Sequence, residues 1–143
     1  MIDLTFDEAL SLLYSGNWGR LDFYEDRIER LKQIVDINEH IFTYIKNPFG
    51  DRNEPILLFL FNHVHIAQIE FIDDKIQITF FYKKDIKRIF VEDDARDIIT
   101  LEIIFSDSHS LKLTSNDCNE HYIRRYYKEI TNLLKVLQGQ ENG

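Results

Sequence analysis

The sequence predicts an α+β fold in which N-terminal helices precede an antiparallel β-meander or roll, closed by a C-terminal amphipathic helix. Three observations carry this. Apolar residues in the first third recur at three-and-four spacing. Six short apolar-rich segments between Ile56 and Thr114 are separated by polar turns of two to four residues. An unbroken apolar stripe then runs from Ile123 to Leu137. With 143 residues, 44% hydrophobic and 13% aromatic, one globular unit is expected, since a chain of this size buries roughly two thirds of its surface. Within that unit, 1–47 reads as a helical segment and 56–138 as the β-roll with its closing helix.

In the helical segment, Thr5 and Glu8 have capping-box spacing ahead of Ala9, Leu10, Leu12 and Leu13. Gly16 falls where a helix C-terminus favours it. Asp22 and Glu25 can cap a second helix whose stripe is Tyr24, Ile28, Leu31, Ile34, Val35, Phe42 and Ile45. Asn38 interrupts that stripe, so a bend or break is expected there. NPFGDRNEP, with two prolines and a glycine, reads as a loop. The strands expected next are ILLFLF, VHIAQIEFI, KIQITFFY, IKRIFVE, DIITLEIIF and SLKLT. Ile76, Ile78 and Phe80 alternate with Gln77 and Thr79, and Leu101, Ile103 and Phe105 alternate with polar neighbours, as half-buried strands require. The turns are Asn62–His63, Asp73–Asp74, Lys83–Asp85, Asp93–Arg96 and Asp107–His109. None has room for a crossover helix, so consecutive strands pair antiparallel.

The closing helix is expected from about Asp117 to Gln138. Asp117 and Glu120 have N-cap and N3 spacing, and Ser115 and Asn116 are alternative caps. Ile123, Tyr126, Tyr127, Ile130, Leu133, Leu134 and Leu137 form its inner face, and Gly139 ends it. Each aliphatic fully buried contributes about 1.5–3 kcal/mol, so this face is driven onto the sheet.

Strands followed by one amphipathic helix, over about residues 56–138, resemble the pleckstrin-homology-like (PH-like) fold. That fold has seven strands, against five or six here, depending on whether ILLFLF is its own strand or runs on into the next, and its closing helix often carries a tryptophan where this chain has Tyr126 and Tyr127. Members that bind phosphoinositides place bases around the first hairpin turn. Here that turn is Ile72-Asp73-Asp74-Lys75, whose acids repel an inositol phosphate. The resemblance implies a binding module. The overall texture is also similar to that of small proteins of low-GC Gram-positive bacteria and their phages.

Charge narrows the partners. The net charge is -8, with 9 acids and 5 bases in 1–47 and 16 acids and 12 bases in 48–143. An evenly acidic chain is not expected to bind nucleic acid. One cysteine allows no internal disulfide, which fits a reducing cytoplasm. MIDLTFDEALSLLY lacks the basic start of a secretion signal, and PILLFLF is too short to span a bilayer, so no stable membrane insertion is expected.

Four clusters bear on chemistry. Cys118 and His121, three apart at a helix start, have the spacing of an activated thiol and a base. No orienting group accompanies them, and the cysteine reads as a small residue at a corner. His63 and His65 would share a face on one strand and supply half a metal site, with His109, Asp107 or Glu70 as further ligands; with Asn62–His63 as the turn, the rings diverge. Lys83, Lys84, Lys87 and Arg88, with Arg124, Arg125 and Lys128 on the closing helix, could clamp an anion. Asp85 lies among the first group, and a solvated surface is the simpler reading. EDDARD, residues 92–97, lacks calcium-loop spacing and reads as a polar turn that discourages edge aggregation. Trp18 reads as an interhelical anchor. No glycine-rich phosphate loop, G-x-S-x-G, HExxH or CxxC occurs.

The expected function is therefore non-enzymatic protein recognition through an acidic, aromatic-bearing surface, as an inhibitor, immunity-like or adaptor protein, without cofactor or metal. The alternatives are binding of a small anion or lipid headgroup by Lys83, Lys84, Lys87, Arg88, Arg124 and Arg125, and a cysteine-dependent enzyme. A homodimer, through an open sheet edge or through the short first helix, is compatible with each.

Overall fold

The computed structural model describes residues 29–47, 56–72, 75–117 and 120–139. They belong to two compact units, one within residues 4–83 and one within 84–143. Together they contain two antiparallel sheets, of four and three strands, and a C-terminal helix, an α+β architecture. The capping box at Thr5 and Glu8, Gly16, Trp18, the Asp22–Glu25 cap, Tyr24, Ile28, the loop 48–55, the Asp73–Asp74 turn and Cys118 lie outside the described residues.

In the first unit, helix α1 (29–34) leads to a 3-10 turn at Ile37–Glu39. Strands β1 (Phe42–Lys46), β2 (Leu57–Phe61), β3 (His65–Ile72) and β4 (Lys75–Tyr82) then pair in sequence order. The expected helix does not reach Ile45. It breaks ahead of Asn38, where Asp36 accepts the Asn38 amide at 3.1 Å, and Phe42-Thr43-Tyr44-Ile45 enter β1 instead. Aromatic and β-branched residues suit a pleated surface better than a helix, and Phe42 to Ile45 are all buried. Ile34, expected in the buried stripe, is exposed, while Leu31 and Val35 are buried.

Burial falls across this sheet. Leu58 to Phe61 of β2 are buried on both faces, β3 buries Ile66, Ala67 and Ile69, and β4 buries none of its residues. ILLFLF thus forms a strand of its own, and among the described residues KIQITFFY is an edge of the sheet. Asn62 builds the β2–β3 turn: its Oδ1 accepts the amides of Val64 at 2.8 Å and His65 at 2.7 Å.

The second unit contains β5 (Ile86–Asp93), β6 (Ile99–Phe105), β7 (Ser110–Thr114) and helix α2 (Ile123–Leu137), with a 3-10 turn at Glu120–Tyr122. Strand β6 buries every second residue from Ile99 to Phe105, as its alternation predicts. Helix α2 packs against β6 and β7 with Tyr126, Ile130 and Leu133 fully buried. Gly139, at φ 81°, ends it. The α-helix starts later than expected: the residue ahead of Ile123 is Tyr122, which makes no side-chain cap bond, and Asp117 accepts the Thr114 amide at 2.8 Å. Asp117 sits three residues too early because the chain first makes a 3-10 turn. The buried Ser115 hydroxyl donates to the Asp97 carbonyl at 2.7 Å and accepts the Ile99 amide at 3.0 Å, fastening β7 to the start of β6.

Candidate functional site

A cleft of about 310 Å³ opens in the first unit. One wall is sheet. Strand β4 pairs with β3 so that Tyr82 lies opposite His65 and Phe80 opposite Ala67. Cross-strand partners share a face, which brings three rings together. His65 lies 5.0 Å from Phe80 and 5.9 Å from Tyr82, edge to face in both pairs. The other wall is the end of α1 and the following turn, with Ile34, Val35, Asp36 and Glu39. Bonds from the Ile41 amide to the Phe61 carbonyl at 2.7 Å and from the Lys83 amide to the Val64 carbonyl at 2.9 Å hold the edges of the site.

The Asn62 turn also sets the state of His65. Because Asn62 Oδ1 already accepts two backbone amides, its Nδ2 is the group facing His65 Nε2, at 3.5 Å. A donor there suits an Nε2 that accepts. The ring's Nδ1 is buried and, among the described residues, has no hydrogen-bond partner.

The surroundings are apolar yet exposed: Ile34 is 60% accessible, Val64 61%, Tyr82 44% and Phe80 37%. Large apolar side chains left in water offer area that a partner could cover. Asp36 and Glu39 add two exposed carboxylates at its margin. Aromatic faces attract a cation through their quadrupole, and carboxylates reinforce that attraction. A second depression, along Lys32–Asn38, is lined by one chain segment alone and brings no separate elements together.

The histidine pair divides as the turn reading implies: His63 is exposed in the turn and His65 starts β3. His109 pairs instead with Asp107 at 2.9 Å across the β6–β7 turn. Among the described residues, no three His, Cys, Asp or Glu side chains group as metal ligands. His121 lies in the 3-10 turn before α2 and is exposed.

The basic residues are spread over three elements. Lys83 and Lys84 are in the β4–β5 turn, Lys87 and Arg88 on β5, and Arg124 and Arg125 on α2. Partial burial pushes the Lys83 ammonium below its usual value. Arg124 pairs with Asp97 at 3.5 Å, so part of its charge is compensated. EDDARD is a turn built by its own acids: Asp93 accepts the Ala95 amide, and Asp94 those of Arg96 and Ile98.

Asp93 also accepts the Tyr127 hydroxyl at 2.6 Å. That bond, with the Ala95 amide, holds the Asp93 carboxyl below its usual 3.8. It raises the Tyr127 phenol above its usual 10.0. A depressed carboxyl contributes stability above its unfolded value and loses it as pH falls through the folded one. A raised phenol contributes below its unfolded value and loses it as pH rises through the folded one. The bond therefore contributes fully only between about pH 4 and pH 10. In Tyr127→Phe the Asp93 carboxyl, followed by carbon-detected NMR, is expected to titrate closer to its usual value; an unchanged midpoint would refute the coupling.

No family model, no curated protein and no solved structure matches the chain. Among the described residues, no helix is long and apolar enough to cross a membrane.

Proposed function

We propose that the chain is a non-enzymatic protein-recognition module, of inhibitor, immunity-like or adaptor type, that receives a lysine or arginine side chain of its partner in the cleft between α1 and the β3–β4 edge. The observation that carries this is the convergence of His65, Phe80 and Tyr82 with the carboxylates of Asp36 and Glu39 around one opening. The rings provide a cation–π surface, the carboxylates provide charge, and Ile34 and Val64 provide apolar contact beside it. The net charge of -8 steers a basic partner toward the chain.

The PH-like architecture belongs to the same proposal. Seven strands divided four and three, with one helix after them, support it.

The test is a titration of the labelled protein with short lysine- and arginine-containing peptides, against glutamate-containing peptides of equal length and against inorganic phosphate. Basic peptides are expected to shift the resonances of His65, Phe80 and Tyr82. Equal binding of acidic peptides would sink the proposal. Phosphate-induced shifts at Lys84, Lys87 and Arg88 in place of these would select the anion-binding reading.

A further inference from the structure

Among the described residues, strand β5 is hydrogen-bonded on one side only, to β6. Every residue from Lys87 to Asp93 is exposed, including Ile89, Phe90 and Val91. An edge of this kind presents a row of backbone donors and acceptors to any passing strand, and charged side chains ordinarily keep such strands away. Here the order of the charges matters more than their number. Lys87-Arg88-Ile89-Phe90-Val91-Glu92-Asp93 reads base, base, three apolar, acid, acid, which is complementary to itself when reversed.

We propose that β5 is where a second copy of this chain pairs, antiparallel and about a two-fold axis through Phe90, joining two three-stranded sheets into one of six strands. In that register Arg88 lies opposite Glu92 of the second copy, Ile89 opposite Val91, and Phe90 opposite Phe90. The existing ladder fixes the faces. Ile89 and Val91 lie beside Ile103 and Leu101, the buried face of β6, whereas Arg88, Phe90 and Glu92 lie beside Ile104, Glu102 and Thr100. Opposed residues of an antiparallel pair share a face. Two ion pairs and a ring pair therefore line one face, and two aliphatic pairs the other.

Competing arrangements fail on the same residues. Parallel pairing sets Arg88 beside Arg88 and Glu92 beside Glu92. A slip of one residue turns the second copy's faces over and puts Arg88 against Val91. The ladder is limited to Arg88–Glu92, because the register is irregular between Ile86 and Arg88 and Asp93 is held by Tyr127. Strand β4, also an edge, carries the single charge of Lys75 and has no such code.

Sedimentation velocity over a concentration series to about 1 mM, the range in which weak pairing is read, tests this with charge swaps at exposed positions. The wild-type chain is expected to dimerise. Arg88→Glu and Glu92→Arg each place like charges opposite one another twice per dimer and are expected to weaken self-association about thirtyfold. An equimolar mixture of the two variants sets two acids per strand against two bases and is expected to recover a one-to-one dimer. The double variant Arg88→Glu/Glu92→Arg reverses the code and is expected to dimerise alone. A wild-type chain that stays monomeric throughout overturns the proposal. So does a dimer indifferent to Arg88→Glu, or a mixture that fails to associate while circular dichroism shows both variants folded.

Discussion

Replacing Tyr126 by alanine is expected to destabilise the chain by about 3–5 kcal/mol, the range for deleting a buried aromatic ring. Tyr126 is 1% exposed on the face of α2 that packs against β6 and β7. Below it the sheet presents Leu101, Ile103 and Leu113, all fully buried. Strand β6, held by a ladder on each side, cannot close the space a missing ring leaves, so the cavity persists. Against a total of about 5–15 kcal/mol, this is enough to unfold much of the population near body temperature. Urea unfolding followed by circular dichroism measures it. Tyr126→Phe separates the hydroxyl from the ring and should recover most of the loss. A fall under about 1 kcal/mol for the alanine variant would mean that α2 does not seal this core.

The second large effect is on recognition. Tyr82→Ala removes one aromatic wall of the cleft, and Glu39→Lys reverses a charge at its margin. Truncating an anchoring aromatic commonly costs 2 kcal/mol or more, and a like charge at an interface adds to that. Together they are expected to weaken binding of a basic peptide about a hundredfold, measured by isothermal titration calorimetry. Asp36 is left in place because its carboxylate also caps the turn at Asn38. Tyr82 is 44% exposed on an edge strand and Glu39 is exposed, so the thermal midpoint should change little. Undiminished binding by this pair of substitutions would separate the cleft from the function.

Much of the fold was legible because local pattern and tertiary environment agree. Leu101, Ile103 and Phe105 alternate in sequence and in burial, and the strands KIQITFFY and SLKLT begin and end where the alternation does. β1 was hidden because Phe42 and Ile45, three apart, also fit the stripe of the preceding helix. The signal that separates the two readings is the run Phe42-Thr43-Tyr44-Ile45, rich in ring and β-branched side chains, just after the break at Asn38. The start of α2 is hard to read because Asp117 has cap spacing, whereas a 3-10 turn at Glu120–Tyr122 comes first and α2 begins at Ile123. The cleft was the least legible part. Its residues come from 34–39, 62–65 and 80–82, and only strand register brings them together. Phe80 looked like one more inward position in an alternating strand; that β4 is an edge, and so leaves it in water, depends on what pairs beyond it.

Among the described residues, both sheets join only strands that follow one another along the chain. Each ladder can then zip from its own turn without waiting for a distant segment, so folding should be fast for a protein this rich in β-structure. The β1–β2 ladder, closed across residues 47–56, spans the longest of these connections and is the step expected to set the pace.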